Sequence, residues 1–187
     1  MSCARLSSPS LEGLRIVTRY RIVPERSRVW IEARSNLHPI HSSTDGLEGY
    51  VEIEFDPKGG VDLEHAPAGK LSLPVSRLSS GNRMEDREMQ KRIDARRYPT
   101  IDGVLVGIER EGEDSTYRVS GNVTFRGVER PHQDDMTIKA VDDATIELEG
   151  KSQFDVREYG MEPPRLLMLK VLPEVEVRVE VVAVKEV

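Results

Sequence analysis

The 187-residue chain carries 27 Lys and Arg against 33 Asp and Glu, a net charge of −6, with 37% hydrophobic and 32% charged residues. That length fits one domain or two small ones, able to bury roughly 70% of the surface of the extended chain. The acidic balance excludes a general nucleic-acid binder, which needs net positive charge to neutralise phosphates. The single cysteine, Cys3, excludes an intrachain disulfide and a thiolate-only zinc site.

Residues 1–13 hold Ser, Pro9 and Gly13 with little apolar content, and predict a frayed, disordered tail ahead of one domain over 14–187. The first twenty residues contain no apolar run long enough for a signal-peptide core. The longest apolar cluster, Leu166 to Leu169, is far too short to span a bilayer, so a soluble cytoplasmic protein without a transmembrane segment is expected.

From there the dominant signal has a period of two. Val29, Ile31 and Ala33 alternate with Arg28, Glu32 and Arg34, with Trp30 on the polar side. Val51, Ile53 and Phe55 alternate with Glu52 and Glu54, and a turn follows at Asp56-Pro57-Lys58-Gly59-Gly60. Leu71, Leu73 and Val75 form a further row that Pro74 interrupts, which suggests an edge or a bulge. Side chains that flip faces at every residue need one dry and one wet face, so these are half-buried antiparallel strands.

One segment departs from this pattern. Residues 82–94 are rich in helix formers, with Asn82 placed to cap and Glu85 three residues on in the capping-box position. Met84, Met89 and Ile93 make only a thin apolar stripe, so a short helix lying on or across a sheet is expected. Pro99 then enforces an extended restart. Strands are predicted at 101–109, 119–125, 134–141, 144–149 and 152–157, with turns at Glu111-Gly112-Glu113-Asp114 and Asp142-Asp143. An irregular patch at Tyr159–Pro164 precedes a last alternating row, Val175, Val177, Val179 and Val181. Strands at this spacing point to an all-β sandwich or barrel.

Three stretches carry a family resemblance. Arg77-Leu78-Ser79-Ser80-Gly81-Asn82, then Arg87, then Arg97-Tyr98-Pro99-Thr100-Ile101 resemble the central signature of the YceI-like group of lipocalin-like, polyisoprenoid-binding proteins. Gly121-Asn122-Val123-Thr124-Phe125-Arg126-Gly127-Val128 is similar to that family's Gly-x-Leu-Thr-x-x-Gly-Val hairpin. Two departures stand out: Arg26-Ser27 replaces an early His-Ser, and the family's Arg-Asp order in the helix is reversed as Asp86-Arg87. The resemblance implies an eight-stranded antiparallel barrel with one short helix, a lipid or isoprenoid tail in an apolar bore, and a homodimer.

On that expectation the protein is a non-enzymatic carrier for a hydrophobic small molecule of isoprenoid or fatty-acyl type. Eight strands leave an interior that side chains or one small ligand can fill. Large fillers are scarce, with Phe 3, Trp 1 and Tyr 5. Candidate cavity residues are Val29, Ile31, Val51, Ile53, Met89, Tyr98, Val119, Phe125, Phe154, Val177 and Val179, and Arg96 and Arg97 are candidate head-group contacts. His38 and His41 lack a third ligand at recognisable spacing, so neither metal nor cofactor is expected. His132, after Pro131, reads as a hairpin residue. Ser42 and Ser43 lie in no Gly-x-Ser-x-Gly context. The rival readings are a small barrel enzyme, which needs a convergent acid or base in the bore, and a dimeric stress-response module with a filled interior.

Overall fold

The computed structural model describes residues 17–112, 115–163, 165–166 and 169–186. The expected tail at 1–13, Glu113 and Asp114 of the expected turn, and Leu167 and Met168 of the apolar cluster lie outside the described residues. The described strands are β1 (Arg19–Ile22), β2 (Arg28–Ser35), β3 (Ile40–Thr44), β4 (Glu48–Glu52), β5 (Ala68–Pro74), β6 (Thr100–Arg110), β7 (Thr116–Phe125), β8 (Val128–Ala140), β9 (Thr145–Asp155), β10 (Arg165–Leu166) and β11 (Leu169–Lys185). One α-helix, α1 (Arg83–Ile93), lies between β5 and β6.

All pairings are antiparallel, and β1-β4-β5-β6-β7-β8-β9-β11 close into an eight-stranded barrel through Ile22 against Ala183. At the level of the Ile22–Ala183 closure the ring has no exposed ladder. Three further strands pair outside the ring, β10 with the start of β11. β2 continues β1 past a 3-10 turn at Pro24–Arg26 and pairs with the middle of β11, and β3 pairs with β2. β11 therefore needs its 17 residues, serving β9 on one side and both β1 and β2 on the other.

One half of the barrel is solid. Tyr117, Ile138, Ile146 and Ala183 are fully buried there, with Ile53 and Val61 folded over the end. The Val61 N–H donates to the Tyr117 hydroxyl at 2.8 Å, which satisfies two polar groups inside an apolar plug. Burying each such Ile contributes about 1.5–3 kcal/mol, so this half carries much of the stability.

The other half is looser. β4 accompanies β5 only as far as Ser72, and Pro74 sits beyond that point, where a missing N–H costs nothing to a partner. The gap between β3 and β5 is crossed by one bridge, Ser43 to Ser79, and Ile93 of α1 and Leu78 are buried beside it. Asn82 caps α1 by accepting from the Met84 N–H at 3.0 Å, and its amide donates to Glu85.

Two expected breaks are continuous strand. Gly150 lies inside β9 rather than between two strands, because the Met136 side chain covers the space a Cβ there would occupy, 2.8 Å away. Pro131 lies inside β8, which starts at Val128 instead of 134. The β8–β9 ladder runs only over Met136–Ala140, so around Pro131 the strand has β7 alone as ladder partner, an edge-like site that tolerates proline. Among the described residues no helix is long and apolar enough to cross a membrane.

Candidate functional site

The looser half encloses a cavity of about 260 Å³. Its walls follow from the registers. Val177 pairs with Ile31 and Ser152, Val175 with Ala33 and Phe154, and Ile101 with Leu73, while Val123 and Phe125 line the space from β7, so one inner face runs round β5, β6, β7, β9, β11 and β2. Ile40 and Ser42 of β3 complete the wall, and Met89 and Ile93 of α1 close the gap beside it. The mouth is covered by a strap from the 3-10 turn Val156–Tyr159 to Pro163.

That strap is fixed at several points. Tyr159 is buried edge-on to Phe125, with ring centroids 5.7 Å apart, and its burial pushes the phenol pKa up. Arg126 donates to the Tyr159 and Gly160 carbonyls, and Arg130 donates to the Glu158 carbonyl at 3.3 Å. Arg126 and Gly127 both take positive φ, 50° and 75°, the backbone of a tight two-residue hairpin turn that aims Arg126 at the strap.

The charged lining comes from α1 alone. Glu85, Asp86 and Glu88 border the cavity, and among the described lining residues none is basic. Asp86 accepts from the Ser80 N–H at 2.6 Å, the Ser80 hydroxyl at 2.7 Å and the Ser79 hydroxyl at 2.9 Å. Desolvation opposes its charge, yet the Ser80 and Ser79 hydrogen bonds hold the carboxyl below the ordinary aspartate value. The reversed Asp86-Arg87 order thus places a carboxylate against the Ser79-Ser80 turn and ties α1 to the segment that leaves β5.

Val29, Ile31, Met89, Phe125, Phe154 and Val177 of the sequence-derived set line this cavity. Val51 and Ile53 belong instead to the solid half, and Val119 and Val179 pack against that core without bordering the space. Alternation assigns a face, whereas level along the barrel axis depends on which loop folds over which end. Tyr98 also lies outside, its ring filling the space where Gly127 would carry a Cβ. Arg96 and Arg97 are exposed on the turn after α1, with the Arg97 guanidinium 5.2 Å from the Tyr98 ring centre, and neither borders the cavity.

The histidines occupy different settings, and that of His132 departs from expectation. His41 is exposed and pairs with Glu32 at 3.3 Å, and His38 bonds to the Pro39 carbonyl at 3.0 Å. Among the described residues no group of three or more His, Cys, Asp or Glu could hold a metal ion. His132 is no hairpin residue: it lies mid-strand in β8, opposite Gly121, on the inner face. Its ring stacks on Phe154 at 4.2 Å, and its Nε2 contacts Asp134, which also accepts from the Ser152 hydroxyl. Extending the predicted strand back to Val128 puts His132, Asp134 and Met136 in phase with Ile138, which is the signal that identifies them as inward-facing.

Comparison with curated protein sequences finds no match. Among solved structures the chain is similar to BcnA of Burkholderia cenocepacia, with 19% identity, a TM-score of 0.72, and coverage of 87% of this chain and 99% of that one. It is also similar to a polyisoprenoid binding domain from Saccharophagus degradans implicated in plant cell wall breakdown, with 14% identity, a TM-score of 0.72, and coverage of 89% and 98%. The YceI protein of Campylobacter jejuni matches with 15% identity, a TM-score of 0.61, and coverage of 79% and 86%. At these identities the likeness is one of fold. The YceI-like domain matches residues 20–183, a span that runs from β1 into β11 and takes in α1 and the cavity. With both its barrel and its sequence pattern accounted for, the chain belongs to the YceI-like domain family.

Proposed function

We propose that this protein is a non-enzymatic carrier that holds the apolar tail of an amphipathic molecule, of polyisoprenoid or fatty-acyl type, in the hollow half of its barrel. The observation that carries the reading is the cavity of about 260 Å³ walled by aliphatic and aromatic side chains from seven strands. A cavity of about 150 Å³ with such walls stays dry and takes up benzene, so this one suits about ten carbon atoms, or two isoprene units. At about 0.8 kcal/mol per methylene, that tail gains about 8 kcal/mol before the costs of association. The similarity in fold to a polyisoprenoid binding domain supports the choice of tail. The homodimer that the resemblance implies is part of the same reading, and sedimentation at graded concentration tests it.

The test is mass spectrometry of organic extracts from protein purified without delipidation. A stoichiometric long-chain molecule is expected. Extracts free of any such molecule, together with no uptake of a fluorescent polyene fatty acid by the extracted protein, refute the proposal.

A further inference from the structure

Among the described residues the buried polar side chains are Ser27, Ser42, Thr44 and Thr145. Three of them are satisfied within the chain. Ser27 donates to the Val182 carbonyl and accepts from the Val182 N–H, Thr44 accepts from the Gly46 N–H at 3.2 Å, and Thr145 bonds to the Asp142 carboxylate. Ser42 differs. It is only 7% exposed and its hydroxyl has no hydrogen-bond partner among the described residues, yet it lines the cavity. Buried hydroxyls are nearly always bonded, so one left free in the wall of a pocket is suited to a partner that the chain does not supply.

The direction of Ser42 follows from the alternation of β3. Ile40 and Ser42 line the cavity, while His41 and Ser43 are exposed on the other face. The bridge between Ser43 and Ser79 sets Ser42 beside Ser80, and both border the same space. The Ser80 hydroxyl donates to Asp86 at 2.7 Å, and Asp86 is itself a lining residue. A carboxylate has about four acceptor positions. Ser79 and Ser80 fill three of those on Asp86, which leaves one. This corner lies away from the strap. Ser42 pairs with Ile31 and Ile31 with Val177, the innermost lining residue of β11, whereas Pro163 and Val171 lie at the strap end.

We propose that Ser42 binds a hydroxyl of the guest, which accepts from Ser42 and donates to Asp86, and that the apolar tail runs from this inner corner beneath α1 toward the strap. The inference rests on the carrier reading and gives the guest an orientation. A hydroxyl suits the corner because it donates and accepts at one atom, as its two neighbours require. A guest without oxygen at that point leaves the Ser42 hydroxyl buried against hydrocarbon and forgoes the bond.

The experiment measures displacement of a fluorescent polyene fatty acid by geraniol and by the hydrocarbon in which hydrogen replaces its hydroxyl. Wild type, Ser42→Ala and Ser43→Ala are compared. Ser42→Ala is expected to weaken geraniol about threefold to tenfold, the range of one hydrogen bond, and to leave the hydrocarbon unchanged or bound more tightly. Ser43→Ala, on the exposed face of the same strand, changes neither. Thermal melts of stripped protein give a second readout. A hydroxyl that serves only the guest is dispensable to the fold, so Ser42→Ala is expected to melt no lower than the wild type. A Ser42→Ala protein that fails to fold or melts lower has lost a structural hydroxyl, and that overturns the subsite. An equal effect on the two probes, or no effect on geraniol, overturns it as well. The carrier reading survives those results as long as the wild type takes up both probes. Failure of the wild type to bind either probe removes both.

Discussion

The hollow and solid halves can be told apart by placing one substitution at two levels of one strand. Val177 and Val181 lie on the same inner face of β11, two rungs apart, the first bordering the cavity and the second 3% exposed in the packed core. Val181→Trp forces an indole into filled space, for about 1–3 kcal/mol of destabilisation, or 2–4 °C in Tm for each kcal/mol in a chain of this size. Val177→Trp places the same ring in free volume and is expected not to lower Tm. Its effect falls on uptake instead. Losing room for only two methylenes costs about 1.6 kcal/mol, more than tenfold in Kd, and an indole displaces more than that. Thermal melts and titration with a fluorescent polyene fatty acid read the two effects separately. Equal destabilisation by the two variants, or a folded Val177→Trp protein that binds as the wild type does, refutes the assignment of the cavity.

Two further outcomes test the supports of the site. Asp86→Ala is expected to cost about 1–2 kcal/mol at neutral pH, the loss of several hydrogen bonds to a partly exposed carboxylate. Because that carboxyl is held below its ordinary value, its contribution is complete above that value and fades as pH falls through the lowered one, so denaturant melts of wild type and variant should converge in acid. Gly127→Val sets a β-branched residue at a φ of 75° with its Cβ 2.8 Å from the Tyr98 ring. A loss of about 1–2 kcal/mol from the left-handed backbone alone is expected, read as a lower Tm, and an unchanged melt contradicts the turn geometry.

Face is legible in this sequence, whereas depth is not. The alternation of Val29, Ile31 and Ala33 against charged neighbours identifies the inner face of β2 directly, as that of Val175, Val177 and Val179 does for β11. Val51 and Ile53 alternate just as cleanly, yet the loop carrying Val61 folds over their end and Tyr117 fills the space between. Nothing local in residues 51–55 encodes that long-range contact. Gly150 and Pro131 read as punctuation because their propensities are intrinsic, while Met136 and a one-sided ladder override them through tertiary context. The inward-facing His132 escapes notice for the same reason: a strand begun at 134 leaves it outside, in a turn after Pro131. Arg96 and Arg97 drew attention as clustered charge beside an aromatic ring, but the turn after α1 carries them to the surface.

A cavity of about 260 Å³ also makes a demand on the rest of the fold. Left dry, such space costs at most about 6 kcal/mol at about 24 cal/mol per Å³, and less where solvent enters at its open side, against a typical net stability of about 5–15 kcal/mol. The solid half can offset that cost, and Met89 and Met161, both packed against the core and lining the space, can swing into part of it. If such relaxation recovers half, about 3 kcal/mol remains for a guest to return by filling the void, equivalent to about 6–12 °C in Tm. Protein stripped on a hydrophobic resin should therefore melt lower than protein as purified, and geraniol, an alcohol of two isoprene units, should restore the difference in a saturable way. A melting point indifferent both to stripping and to reloading means that the walls close on themselves, and a barrel able to do that has no need of a tail.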